Sequence, residues 1–220
     1  LMQSLVSLYF WNVDLTMPLL HRPIFEECTN QKLLLHHEGF VSTLLLVCAV
    51  GSLYVADTSM SKRERKALGW SWYNQSPISQ PLVYLTHRVF SSQLAVEFLH
   101  RTANPLFCWF ITSCGLRLAE DMGAHRRRAR GPTITTEEEL EKRAFWCECS
   151  IRSSKSLPYH IACPSSVSVS FDINISIECD DEYWGLSGPG RQPPETPSTV
   201  AFFIRIAIIR TPRLLCFPLN

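Results

Sequence analysis

The sequence has almost no net charge and lacks the short motifs that most catalytic sites require. Its 220 residues include 21 basic and 20 acidic side chains, a formal net charge of +1. Such a balance predicts no general attraction to nucleic acid or to anionic membranes. No Gly-x-Ser-x-Gly element and no glycine-rich phosphate loop occur. Because nothing in the spacing of its cysteines and histidines selects a reactive pair, we expect no enzyme activity.

The sequence also lacks the close cysteine pairs of zinc sites. No two cysteines are separated by two residues, the spacing with which one turn offers two thiolates to tetrahedral zinc. Cys147 and Cys149, or Cys108 and Cys114, are the nearest pairs, and neither has a matching second half. The nine cysteines are odd in number and irregularly spaced, so they predict no disulfide framework. We expect reduced, mostly structural thiols and no metal or cofactor bound to this chain.

The sequence also has few apolar runs long enough to span a membrane. Residues 40–56 are 17 residues without a charge, at the lower limit for a membrane-spanning helix. Ser42, Thr43, Gly51 and Ser52 dilute the run. A buried central helix of an α-domain is the preferred interpretation, and a small helical membrane protein spanning at 40–56 is the alternative.

The remaining pattern predicts an all-α domain, with 46% hydrophobic and 19% charged residues. Proline spacing predicts loop and short turns from Tyr9 to Phe25, and a helical pattern begins at Glu26. Residues 59–65 form a connector with helical potential, residues 69–81 an irregular link, and residues 82–101 another helix.

The centre of the chain carries the sharpest boundary signals. Asn104 and Pro105 predict a helix start, and Gly123 predicts its end after Met122. Thr136 and Glu139 form a plausible capping box for the next helix.

Two groups of residues around this helix end invite a functional interpretation. Glu120, Asp121 and His125 resemble a metal site, but the stop at Gly123 breaks the helical spacing they would need. The basic residues 125–130 suit phosphate, a partner or nuclear import, although cations that follow a helix C-terminus also complement its dipole. We prefer this second interpretation.

After Trp146 the composition changes. Residues 147–170 contain eight serines and no sustained apolar period, residues 171–184 are acidic and aromatic, and residues 185–198 read as a loop. A helix begins again near Val200, and two prolines cut it short.

Five pieces of the chain, in order, resemble the middle regulatory domain of fungal zinc-binuclear-cluster transcription factors. They are Tyr9-Phe10 with His21-Arg22-Pro23-Ile24-Phe25, the apolar run 44–52, the stretch 104–128, the stretch 137–146, and the acidic segment 171–184. The resemblance covers about residues 8–203. It implies an all-α regulatory domain, in the nucleus, with possible coregulator proteins or a small-molecule effector as partners. DNA binding and zinc would belong to a six-cysteine cluster outside this chain.

The resemblance also has departures. Residues 147–170 replace the family's continuing helix with an irregular Ser/Cys-rich insert, and residues 204–220 form an atypical tail. Our hypothesis is that the insert is translated out of frame or crosses a misplaced splice boundary. We therefore expect a domain incomplete at both ends, with a non-functional gene remnant as a further alternative. Polar anchoring of the fold is predicted at five residues: Arg117, Asp121, His125, Arg143 and Trp146.

Overall fold

The computed structural model describes residues 1–14, 16–30, 38–56, 60–76, 85–102, 105–121, 123, 135–153, 179–185, 188–189, 198, 200–203 and 205. The helices are α1 (Met2–Tyr9), α2 (Arg22–Asn30), α3 (Glu38–Ser52), α4 (Lys62–Tyr73), α5 (Leu85–Thr102), α6 (Pro105–Asp121) and α7 (Thr136–Ser153). A π-turn (Phe10–Asp14) extends α1, and a 3₁₀ turn (Asp181–Tyr183) precedes a two-residue antiparallel pair, β1 (Trp184–Gly185) and β2 (Gly188–Pro189). The predicted all-α class is confirmed.

Helix α3 is the centre of the core. It packs against α1, α4 and α5, and its residues from Leu46 to Val50 are fully buried. A β-carbon at Gly51 would collide with the backbone carbonyl of Leu5, so glycine lets α1 and α3 approach closely. The run 40–56 is therefore largely this core helix. Within the described residues, no helix has the length and apolar character needed to cross a membrane.

Helices α5, α6 and α7 form the second half of the core. Helix α5 packs against α6, and α7 contacts both. The buried Gln93 amide donates a 2.6 Å hydrogen bond to the Ala144 carbonyl, which fixes α5 against α7. The predicted helix after residue 104 is confirmed, since α6 begins at Pro105, and Gly123 follows its end with a φ of 74°. Asn104 lies outside the described residues.

Several predicted boundaries are wrong. Tyr9 to Phe25 is not mainly loop, because α1, the π-turn and the first turn of α2 occupy much of it, and Pro23 is tolerated in a first helical turn. The expected link after Gly69 is helical to Tyr73, since Trp70 and Tyr73 pack against Phe98.

The start of α7 also differs from the prediction. The capping box is formed one residue earlier, by Thr135 and Glu138. The Thr135 hydroxyl accepts from the Glu138 N–H at 3.2 Å, and the Glu138 carboxylate accepts from the Thr135 N–H at 3.3 Å. The helix then continues beyond Trp146 to Ser153.

Candidate functional site

The most unusual side chain of the described residues is Arg143, which lies on α7 with only 1% of its side chain exposed. Residues 143–150 of α7 are all buried, so this part of the helix faces protein on every side. A buried charge is stable only when it is paired and hydrogen-bonded. The partners of Arg143 therefore identify the part of the chain that packs against α7.

Arg143 binds a segment far along the chain. Its Nη1 donates to Asp181 Oδ1 at 2.7 Å, and its Nη2 donates to the Cys179 carbonyl at 3.0 Å. The guanidinium carbon lies 4.6 Å from the centroid of the Trp184 ring, in cation–π contact. We call these four residues the arginine clamp. The clamp combines an ion pair, a hydrogen bond to the backbone and a cation–π contact. Together these contacts attach residues 179–184 to the helical core.

Asp181 extends the clamp to the beginning of α2. Its second carboxylate oxygen, Oδ2, accepts from the backbone N–H of Arg22 at 2.8 Å. The His21 ring lies 5.1 Å from the Trp184 ring, tilted by 32°. Burial lowers the pKa of His21, an effect that outweighs the opposing charge of Asp181. Arg22 thus contacts the clamp through Asp181, and His21 contacts it through Trp184.

Asp180 makes an equivalent connection to the last described helical segment. Its Oδ1 accepts from the backbone N–H of Val200 at 3.1 Å and from the Ser198 hydroxyl at 3.0 Å. Ser198 Oγ in turn accepts from the Ala201 N–H at 3.0 Å, as an N-cap does. Two adjacent aspartates therefore place negative charge at two helix N-termini, where the helix dipole favours it.

A half-buried acid, Asp14, lies at the end of the π-turn. Burial raises the pKa of Asp14 well above its ordinary value; Asp181 raises it further, and Arg143 opposes the change. Burial also raises the pKa of Tyr9, with Asp14 as the next contributor. The Tyr9 hydroxyl, Asp14 Oδ1 and Arg143 Nε have no hydrogen-bond partner among the described residues.

The thiol of Cys147 belongs to the same surroundings. Burial raises its pKa well above the ordinary value, although the charge of Arg143 works in the opposite direction. This thiol is thus kept neutral and unreactive rather than activated as a nucleophile. Cys147 and its neighbours show no disulfide in the described part of the chain, and that part also holds no cluster of ligands suited to a metal ion.

The five predicted anchors have different outcomes. Arg143 is the buried polar anchor. Trp146 is also buried, but its indole N–H has no hydrogen-bond partner among the described residues, so it acts as an apolar anchor. The prediction is wrong for Arg117 and Asp121, which form a 3.3 Å pair on the surface with side chains 68% and 55% exposed. His125 lies outside the described residues, as does the whole basic run 125–130.

Sequence reasoning missed the partners of Arg143. Asp181 lies 38 residues away, and the sequence of residues 147–170 has no sustained apolar period from which that contact could be inferred. The available signal was the acidic pair Asp180–Asp181 followed by Tyr183 and Trp184. Such a segment offers a buried arginine both a carboxylate partner and an aromatic ring. The arrangement is suited to holding segments together.

The comparisons with known proteins agree with this architecture. A family model described as the fungal specific transcription factor domain matches residues 6–148, more than half of the chain. A search of curated proteins found no match, and a search of solved structures found none either. The matched range contains Tyr9, Asp14 and Arg143 but ends before Asp181. The chain therefore belongs to the fungal specific transcription factor domain family.

Proposed function

We propose that this chain is a non-enzymatic regulatory domain of a fungal transcription factor, which acts in the nucleus on DNA-templated transcription. DNA is contacted by a zinc cluster in another part of the full-length protein. This chain responds to coregulator proteins or to a small-molecule effector, and it restrains transcriptional output. It has no role in a membrane.

The observation that carries the proposal is the family match over residues 6–148, which coincides with a helical core running from α1 into α7. The clamp supports the same conclusion. It joins the matched region to residues 179–184, and charge pairs of this kind position segments rather than transform substrates. The buried, neutral thiol of Cys147 likewise favours a structural role over catalysis.

A transcription reporter tests the proposal. The chain is placed between an unrelated DNA-binding domain and an unrelated activation segment, and expression is measured in a fungal host. A regulatory domain that restrains output lowers expression by at least about fivefold relative to the same fusion without the chain, the lower range of allosteric coupling.

Two arginine variants sharpen the test. Arg143→Met opens the clamp and should restore expression, whereas Arg117→Met removes an exposed pair and should leave the restraint intact. A flexible linker of equal length controls for spacing. If the chain and the linker give equal expression, the regulatory role is wrong. If the purified chain shows no cooperative unfolding, the result supports a non-functional gene remnant instead.

A further inference from the structure

Helix α6 has an exposed face that begins with two phenylalanines. Phe107 is 52% exposed and Phe110 is 56% exposed. Their rings are stacked on one another, with centroids 6.4 Å apart and an interplanar angle of 20°. Single apolar side chains scattered over a protein surface are normal, whereas adjacent exposed aromatic rings are typical of a contact surface. The pair therefore indicates a place where another molecule packs.

The exposed face continues along α6 as one stripe. Among the residues of α6 whose burial is described, five are exposed, at spacings of three and four: Phe107, Phe110, Cys114, Arg117 and Asp121. This spacing places the side chains on one side of the helix, and it is the spacing with which two helices pack along a common seam. The opposite side of α6 packs against α5 and α7. The α6 stripe is thus apolar in its first half and charged in its second.

We propose that the α6 stripe is a dimerisation surface, on which a second copy of this chain packs its own α6 antiparallel, about a two-fold axis at Cys114. A two-fold interface must be self-complementary, so each residue meets a residue that meets it in return. At a rise of 1.5 Å per residue, Phe107 and Asp121 lie about 10.5 Å on either side of Cys114 along the helix axis. Phe110 and Arg117 lie about 6 and about 4.5 Å on either side of it. The stripe therefore matches its own reverse.

The charges of the stripe favour the antiparallel orientation. In that orientation the Arg117 guanidinium of one copy comes level with the Phe110 ring of the other, to within about 1.5 Å along the axis, and can make a cation–π contact. Asp121 of the same helix, 3.3 Å from Arg117, still balances its charge. In a parallel pair each Arg117 would face another Arg117, and like charges would oppose association. The antiparallel pair covers all four phenylalanines without placing like charges together.

The size of the surface predicts a weak dimer. One helix pair with two phenylalanines from each copy belongs to the smallest class of specific interfaces, well below the area of obligate dimers. We expect a dissociation constant between about 10 µM and about 1 mM. Such a contact is populated when two copies are held close together, because effective concentrations then reach the millimolar range.

Sedimentation velocity of the intact chain, from about 1 µM to about 1 mM, tests the dimer. Phe110→Ser removes one central ring from each copy and should raise the dissociation constant at least about tenfold. The matched control is Phe202→Ser, which changes a phenylalanine that is 66% exposed outside α6 and should alter the constant by less than about twofold. If the chain stays monomeric over this range, or if the two substitutions have equal effects, the proposal is wrong. A monomeric chain would leave the phenylalanines as the contact for a different protein.

Cross-linking through the native Cys114 tests the two-fold axis and leaves both phenylalanines in place. A short bismaleimide should join Cys114 to Cys114 of a second copy, detected as a cross-linked peptide by mass spectrometry and lost in Cys114→Ser. When Asp121→Cys is added to Cys114→Ser, the two positions 121 lie about 21 Å apart along the antiparallel pair and should not be joined. A product linking positions 121, or no product through Cys114, overturns the antiparallel dimer. Neither measurement depends on transcription, so failure of the dimer and failure of the regulatory role are distinguishable.

Discussion

Replacing Arg143 by methionine should destabilise the folded chain by about 3 kcal/mol. The change removes two hydrogen bonds, of 2.7 and 3.0 Å, and the cation–π contact with Trp184. It also leaves Asp181 near the core without its counter-ion. Loss of one partner of a buried ion pair costs about 3–5 kcal/mol, and we take the lower end because the Asp181 side chain is 14% exposed.

Urea unfolding followed by circular dichroism at 222 nm measures this cost, since the signal reports the helices that dominate the fold. We expect a lower midpoint with a similar slope, which indicates lost stability without a change in the unfolded state. The matched control is Arg117→Met on α6. Its side chain is 68% exposed, so its pairs with Glu120 and Asp121 should contribute at most about 1 kcal/mol.

Equal costs for Arg143→Met and Arg117→Met would refute the reasoning, because burial is the property that separates the two arginines. A loss below about 1 kcal/mol in Arg143→Met would show that residues 179–184 are not held by the clamp in solution. Unchanged thermal unfolding would contradict the anchoring role predicted for this residue.

Other consequences follow from the same geometry. The folded state disfavours ionised Asp14, so the wild type should lose stability as the pH rises above the unfolded pKa of about 3.9. Asp14→Asn cannot ionise and should therefore become progressively more stable relative to the wild type over the same rise in pH. Paired urea titrations check this, and a pH-independent difference contradicts it. Gly51→Ala forces a methyl group onto the Leu5 carbonyl and should cost about 1–3 kcal/mol by urea titration, whereas full tolerance would mean that α1 does not pack on α3 this closely. With a thiol-alkylating reagent and peptide mapping, exposed Cys114 should react well before buried Cys147, and the reverse order would show that α7 is not buried.

Local signals in the sequence predicted a good part of the helical core. The apolar run after Phe40 covers a whole helix circumference, which is why α3 could be placed at the centre of an α-domain. Pro105 and Gly123 act through their own backbone geometry, so they mark the boundaries of α6 regardless of tertiary context.

The failures have a different physical origin. Residues Trp70–Tyr73 were read as a link because of their aromatic composition, yet packing against Phe98 stabilises them as helix. The extension of α7 to Ser153 was missed because cysteine and serine give no apolar period, although Cys147 and Cys149 are buried as small hydrophobes. In both places tertiary contacts override local preference.

Only one member of the candidate site, Arg143, could be predicted from the sequence. Arg143 stands out as a cation within a pattern of buried residues, and it was expected to anchor the fold. Its partners could not be derived, because Cys179, Asp181 and Trp184 meet it only after the chain has folded back over a long separation. The incorrect translation proposed for residues 147–170, and the atypical character of residues 204–220, stay predictions. Sequencing of the transcript across both segments tests them.

The most direct test of the central claim, that Arg143 fastens residues 179–184 to the regulatory core through Asp181, is a double-mutant cycle of Arg143→Met and Asp181→Asn. Free energies of unfolding are measured by urea titration for the wild type, both single variants and the double variant. We predict a coupling energy of at least about 1.5 kcal/mol, so that the double variant is scarcely less stable than the worse single variant. Additive costs, with coupling below about 0.5 kcal/mol, would show that the two residues do not interact in solution.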